Sequence, residues 1–302
     1  MDILWDLPVR KSRKQKEAFR REVTAYLQRL GYSCRVEKGS FGAKNLVFGD
    51  SEKAPYLVTA HYDTCARLPF PNMAFPCSME MTLLYQLAIT LGMLAVSALA
   101  AGLAGFFLGK TVGQFLFPFF LLAICGLVIA GPANPNCVND NSSGVITVLE
   151  IARSIPASQR SQVCFVLFDL EEAGLIGSEC YRKAHRTAAQ RQLVLNLDCV
   201  GDGDHIIFLP SRQVRKEPET MQKLRSCGGW YGSKRIFVRR KGFSFYPSDQ
   251  YNFPRAVGIC ALRRKGKLLY LSHIHTAKDT ILEITNVNLL QAAIVSMITV
   301  RQ

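Results

Sequence analysis

The chain has 302 residues, of which 37 are Lys or Arg and 23 are Asp or Glu, so it carries a net charge of +14 and a pI near 9.5. That length suits one large α/β domain or two small ones and needs no disulfide staples. The scattered cysteines, none in a C-x-x-C spacing, therefore read as free buried thiols of a reducing compartment. A basic balance points to nucleic acid, an anionic membrane surface or acidic substrates; zinc-finger spacing and RNA-binding signatures are absent, which sets nucleic acid aside and ranks the membrane first.

The first ten residues hold no apolar core long enough for a secretory signal. Residues 11–30 predict an amphipathic helix: Phe19, Val23, Tyr26, Leu27 and Leu30 fall at helical spacing and Gly31 suits the position after the last turn. Its basic face fits lipid headgroups or plain water. Strand-like runs follow at 34–37 and 45–48. Residues 56–60 (Y-L-V-T-A) form an apolar strand that delivers His61 and Asp63. A histidine there is ordinarily a satisfied core or surface residue. A carboxylate two residues on, however, can hold the second ring nitrogen, as the partner of a metal-bound histidine does. Residues 68–76 are proline-rich and predict a stiff linker.

The membrane signal is internal. Residues 81–109 carry no charge, Lys110 interrupts, and no charge returns until Asp140. Spanning a bilayer takes about 20 apolar residues, and 82–107 and 112–130 both satisfy this. A buried soluble hairpin is the alternative, but such helices keep a polar face and these are apolar all round. They predict two membrane helices joined by a tight turn near 109–113, with Gly102, Gly105 and Gly109 allowing close approach. After them Asp140 precedes S-S-G and a helical run, either as a helix cap or as a carboxylate facing a cleft.

Residues 164–178 (C-F-V-L-F-D-L-E-E-A-G-L-I-G-S) are the centre of the chain. They begin as a buried parallel strand and break into Asp169, Glu171 and Glu172. Carboxylates at the end of a buried strand need a partner, and in open α/β sheets the site lies beyond the carboxyl ends of the strands. The bland alternative is a solvated turn. Further on, 178–189 predict a helix, with His185 on its surface among Arg182, Lys183 and Arg186. Residues 192–197 predict a strand delivering Asp198. The G-D-G-D at 201–204 is a turn too short for nucleotide binding. Residues 211–242 are basic and mixed, and 243–253 are aromatic-rich and fit to wall a pocket. A strand at 257–262, the run S-H-I-H-T-A-K-D-T with His273, His275 and Asp279, and a helix at 286–300 complete the chain.

His61, Asp140, Glu171, Glu172, Asp198 and His275 come from five separate places, and since at least three lie at carboxyl ends of apolar strands the fold would bring them to one edge. Histidines with several carboxylates suit zinc. Two metals about 3.5 to 4 Å apart need a bridging carboxylate, and one further carboxylate is required to carry a proton. The ordered motifs H-x-D, D-N-S-S-G, F-D-x-E-E-x-G-L-x-G-S, N-L-D-x-x-G and H-T-x-x-D-T resemble the di-zinc metallopeptidases of the bacterial leucyl aminopeptidase and aminopeptidase Y group, over nearly all of the sequence outside the hairpin.

The resemblance implies a mostly parallel central sheet with helices on both faces, two Zn2+ per chain and a peptide substrate. Asp140 would bridge the metals, His61 and Asp198 would complete one, and Glu172 and His275 the other. Glu171 would be the general base and acid, and Asp63 would orient His61. The chain departs from the group in its inserted hairpin and in Ile274, where some members place an oxyanion-binding tyrosine that Tyr246 or Tyr251 would have to replace.

Related proteins that cyclise N-terminal glutamine use one zinc without the first histidine, and others have lost their ligands; the full donor set here favours hydrolysis. The expectation is a membrane-anchored di-zinc aminopeptidase at the lipid bilayer. A non-peptide amide hydrolase, a glutaminyl cyclase and a non-catalytic scaffold are the alternatives. Residues 1–79 and 132–302 would form the catalytic domain and 80–131 the hairpin. The protein would be multi-pass, with its catalytic domain cytoplasmic by virtue of its basic N-terminal segment and unpaired cysteines, although Lys110 at the tip points the other way. At about 3.6 Å per residue, Asp140 would lie within roughly 35 Å of the second span.

Overall fold

A capping box starts the first helix, α1 (Arg13–Arg29): Ser12 Oγ accepts from the Gln15 N–H, and the Gln15 side chain accepts from the Ser12 N–H. The computed structural model describes residues 6–239 and 241–299. Residues 1–5 of the expected leaderless N-terminus and Val300 of the expected last helix lie outside them. Phe19, Val23 and Leu27 of α1 are buried, as their period requires. Lys16 and Arg20 are buried too, so the basic face is not wholly free for lipid or water. Lys16 Nζ lies 2.6 Å from Asp169 Oδ1 and Arg20 Nη1 lies 2.6 Å from the Tyr62 hydroxyl. Charges leave water only with partners; Arg13, Lys14, Arg21 and Arg29 stay outside.

The predicted strands follow as β1 (Cys34–Lys38), β2 (Lys44–Phe48) and β3 (Tyr56–His61). The proline-rich stretch is more than a linker, because β4 (Met73–Ala74) within it pairs with Leu271 and Ser272 of a late strand. The apolar hairpin is α2 (Met79–Leu108) and α3 (Lys110–Ala130), both long and apolar enough to cross a membrane. The turn is narrower than the sequence suggested: Gly109 alone makes it, at φ +100, and Gly113 lies inside α3. A Cβ on Gly113 would meet the Ala101 carbonyl oxygen at 2.6 Å and Gly105 Cα at 2.8 Å, whereas one on Gly102 or Gly109 would meet nothing within 4 Å. The helices therefore touch through Gly105 and Gly113. Phe106, Phe115 and Leu122 stand more than two-thirds exposed. Apolar surface of this extent needs a lipid or protein cover.

After α4 (Gly144–Ser154) come β5 (Val163–Phe168), α5 (Ile176–Ala184), α6 (Arg186–Arg191), β6 (Leu193–Leu197), β7 (His205–Pro210), α7 (Pro218–Ser226), β8 (Gly229–Tyr231), β9 (Lys234–Val238), β10 (Ala256–Lys265), β11 (Leu268–Ser272) and α8 (Ile284–Thr299). The helix expected over 178–189 breaks at His185. That side chain is not a bare surface group: Nε2 lies 2.9 Å from Glu37 and Nδ1 meets Glu52. The basic stretch after 210 folds into α7, β8 and β9. All ten cysteines are free, six of them buried and the others half-buried.

The sheet runs β1-β2-β5-β3-β6-β10-β7-β9-β8. Its centre, β5-β3-β6-β10, is parallel, and antiparallel pairs flank it. Helices cover both faces, which is why the central strands read as unbroken apolar runs. Val163, Phe165 and Leu167 of β5 pack with residues of α1, α4 and α8, while Cys164, Val166 and Phe168 pack with Tyr181 of α5 and Ala189 of α6. Burying one such large side chain contributes roughly 1.5–3 kcal/mol. Because β3, β5 and β6 run the same way, with His61 opposite Phe168, their carboxyl ends deliver His61, Asp198 and the 169–172 turn to one edge.

Candidate active site

The polar motif around Asp140 is fastened to the segment leaving β6. Asn139 Oδ1 accepts from the N–H of Gly201 (2.7 Å) and Asp202 (3.1 Å), and the Asn141 amide donates to the Leu197 carbonyl (2.9 Å). Ser143 Oγ accepts from the Val200 N–H (3.0 Å). A Cβ on Gly144 would meet the Leu197 carbonyl oxygen at 2.4 Å, so the closing glycine is dictated by this approach. Asp140 is therefore not a helix cap; its carboxylate points into the site.

Across the edge, Asp63 accepts the N–H of Glu171 (3.1 Å) and of Glu172 (3.2 Å), pinning the turn that carries both. The same carboxylate lies 3.4 Å from His61 Nδ1. Asp169, in contrast, is structural: it pairs with Lys16 and accepts the Lys44 N–H.

The side chains then meet. His61 Nε2 lies 3.2 Å from Asp140 Oδ1 and 3.7 Å from Asp198 Oδ1. His275 Nε2 lies 3.0 Å from Asp140 Oδ2 and 3.4 Å from Glu172 Oε2. One carboxylate thus faces two imidazoles, an oxygen to each. Glu171 offers an oxygen within 4.8 Å of ligand atoms of His61 and Glu172. His273 stays at the turn, where its carbonyl accepts from the Thr276 hydroxyl (2.6 Å).

The electrostatics are those of crowded acids. Burial pushes the Glu171 carboxyl well above its ordinary range, and Glu172, Asp249 and Asp198 add to this against the opposing pull of His61. Glu172 is raised by burial and then by Asp140. Burial also pushes Asp140 up, but hydrogen bonds with His275 and His61 outweigh it and hold the carboxyl below the usual range. Burial disfavours a charged His61, yet Glu171, Asp140, Asp198 and Asp63 together raise its pKa. Glu172 Oε1 and Asp198 Oδ1 are buried without a hydrogen-bond partner. Buried acceptors with no donor, gathered with two imidazoles, form a donor set suited to a divalent cation with nitrogen and oxygen ligands.

The site opens into a cavity of about 470 Å³. Phe245 and Tyr246 line it, as the aromatic stretch predicted; Tyr251 does not. The Tyr246 hydroxyl donates to the Asp198 carbonyl (3.3 Å). The opposite wall comes from the hairpin, where Thr82, Tyr85 and Gln86 of α2 face the same space. At 1.5 Å per residue α2 is about 45 Å long, and its first turns reach the site.

Sequence reasoning passed over two groups and gave a third, Asp279, no role of its own. Asp249 is fully buried, neither oxygen has a partner, and burial pushes its carboxyl to about 7 while His61 opposes. It lies inside the aromatic stretch, where a lone acid was the available signal. Asp279 accepts the N–H of Asn139 (2.7 Å) and of Asp140 (3.0 Å), and so fixes the backbone that presents Asp140. Cys65 brings its sulfur within 4.8 Å of ligand atoms of Glu172 and His275.

The profile of Peptidase family M28 matches residues 127–298, a stretch that includes Asp140, Glu171, Glu172, Asp198 and His275. No curated protein sequence matches the chain. Solved structures of similar fold include a Zn-dependent exopeptidase from Parabacteroides distasonis, 14% identical, with 99% of this chain and 96% of that one aligned at a TM-score of 0.60. A glutaminyl cyclase from Porphyromonas gingivalis is also 14% identical, over 98% and 94% of the chains, with a TM-score of 0.61. The LapA aminopeptidase of Legionella pneumophila is 15% identical, over 100% and 69%, with a TM-score of 0.57.

Proposed function

The chain belongs to peptidase family M28, and from that premise we propose that it is a membrane-anchored aminopeptidase that uses two zinc ions to remove N-terminal residues from peptides. The observation that carries this reading is the Asp140 carboxylate, set with one oxygen toward His61 and the other toward His275. His61, Asp140 and Asp198 would hold one ion, and Asp140, Glu172 and His275 the other. Bound zinc supplies a Lewis acid that polarises a carbonyl and acidifies water.

The remaining chemistry falls to the chain's own residues. Glu171, raised by burial and neighbouring acids, takes a proton from the attacking water and returns it to the departing amine nitrogen. A carboxylate does both best when its pKa lies near the working pH. Asp63 holds the His61 ring from behind and keeps Glu171 in place through its backbone N–H. Tyr246 lines the cavity beside Asp198 but its hydroxyl is committed to the Asp198 carbonyl, so stabilisation of the oxyanion would rest mainly on the zinc ions. A cavity of about 470 Å³ suits a terminal residue and its neighbour rather than a threaded chain, which favours exopeptidase action.

Residues 1–79 and 132–302 make the catalytic unit and 80–131 anchor it, with the catalytic side cytoplasmic. Because Thr82, Tyr85 and Gln86 complete the cavity, peptides presented at the bilayer surface are the preferred substrates.

The likeness to the Porphyromonas gingivalis enzyme carries a second reading, cyclisation of N-terminal glutamine. His61, held against Asp140 and Asp198, favours hydrolysis. Metal analysis of the purified full-length chain and of Glu172→Ala, together with a panel of aminoacyl and glutaminyl reporter peptides, separates the two. Two zinc equivalents, depleted in the variant, with release of amino acids, support the proposal. A chain that binds no zinc, or that yields only cyclised product, refutes it.

A further inference from the structure

Between the catalytic end of the hairpin and the loop before it lies a second cavity, a groove of about 720 Å³. Ile89, Met93 and Val96 of α2 form one side and Leu127 and Val128 of α3 the other, with Gly92 also on its lining. Its lining is apolar but for two groups. The Tyr85 hydroxyl is already committed, donating to the Pro71 carbonyl (2.6 Å) and accepting from the Met73 N–H (3.1 Å). The other is Arg67, exposed at the mouth. Its backbone N–H donates to Pro132, while its guanidinium makes no hydrogen bond or ion pair among the described residues.

The size and chemistry of the groove narrow the occupant. A helix about 10 Å across takes about 850 Å³ for two turns, which is more than the groove holds. An extended peptide would carry backbone N–H and C=O groups into walls that offer them no partner. A hydrocarbon chain has neither problem. From Tyr85 to Val96 the groove follows α2 for about 16 Å, close to the hydrocarbon depth of one leaflet, about 15 Å. The unpaired guanidinium stands at the level where such a chain meets its headgroup, and a planar guanidinium binds phosphate oxygens in pairs.

We propose that this groove is a binding site for an anionic phospholipid, with one acyl chain between α2 and α3 and the phosphate on Arg67. The loop that closes it, residues 69–71, continues directly into residues 72–75, which line the catalytic cavity. A seated chain therefore braces the wall of the active site. The proposal rests on the membrane reading of the hairpin and not on catalysis.

Native mass spectrometry of the full-length chain, released from bilayers containing phosphatidylglycerol and phosphatidylcholine, tests it without any turnover measurement. One phosphatidylglycerol retained per chain is the expected result. Gly92→Trp, at a position where a Cβ meets nothing within 4 Å, fills the groove and lowers retention at least about tenfold. Arg67→Gln, at an exposed residue whose guanidinium makes no bond among the described residues, keeps a lipid but loses the phosphatidylglycerol preference by about fivefold. Equal retention in all three proteins, or no headgroup preference in the parent, overturns the proposal. A stable dimer that excludes lipid from the groove overturns it in favour of a second copy of the chain.

Discussion

The catalytic body and the hairpin place their apolar side chains in opposite ways. In the body, apolar side chains such as Phe165 and Leu195 are hidden, and the acids and imidazoles drawn inside are held by one another and by backbone N–H groups. In the hairpin the apolar side chains face outward along both helices, a surface that needs a lipid or protein cover. The difference shows where the molecule tolerates change. The body is sensitive at its charges, whereas along its apolar length the hairpin is most sensitive where its two helices touch. The first turns of α2 belong to both regimes, since Thr82, Tyr85 and Gln86 leave the apolar span and wall the catalytic cavity.

That contrast can be broken at graded cost. Glu171→Gln removes the proton carrier while keeping the fold, and turnover of aminoacyl reporters falls by about 10²–10⁴ with zinc content unchanged; full activity would strip Glu171 of its role. Asp63→Asn leaves the donor set intact but weakens the hold on His61 and the Glu171–Glu172 turn. Zinc affinity, measured by competition with a chelator, drops by about 10–100-fold.

In the hairpin, Gly113→Leu drives a side chain into Ala101 and Gly105 and lowers stability by about 1–3 kcal/mol, read by thermal unfolding in detergent. Gly102→Leu, facing open space, changes nothing; equal effects at the two sites would disprove the crossing described here. The smallest effect is at His185. The hydrogen bond to Glu37 raises its pKa against the opposing effect of burial, and Glu52 adds to it. Its contribution is therefore complete below its ordinary value of about 6.5 and fades as pH rises through the raised folded value. His185→Ala costs at most about 1 kcal/mol in urea unfolding at low pH, and the gap to the parent closes in alkali.

The sheet's central strands, the two apolar helices and the side chains of His61, Glu171, Glu172, Asp198 and His275 that gather with Asp140 were legible from pattern and motif. The parts that were not share a cause. β4, β8 and β9 are short strands whose residues carry no clear alternation, and they exist because a neighbour supplies hydrogen bonds; β7 and β11, also not read from the sequence, are both held by pairing with β10. Lys16 and Arg20 belonged to a basic helix face by spacing alone, and their burial depends on Asp169 and Tyr62, far away in sequence. Asp249 and Cys65 lacked a motif that would separate them from ordinary acids and thiols, and Asp279, although inside H-T-x-x-D-T, carried no signal that it would hold the backbone of Asp140.

By itself the amino-acid sequence determined which chemical groups arrive at the ends of the strands and which stretches water would reject, because side-chain periodicity and hydropathy are local properties of the chain. Only the tertiary structure decided that Asp140 turns an oxygen to each imidazole, that Gly105 rather than Gly102 meets the neighbouring helix, and that the first turns of α2 close the catalytic cavity. Those outcomes are distances through space between residues remote along the backbone, set by packing that no single segment encodes.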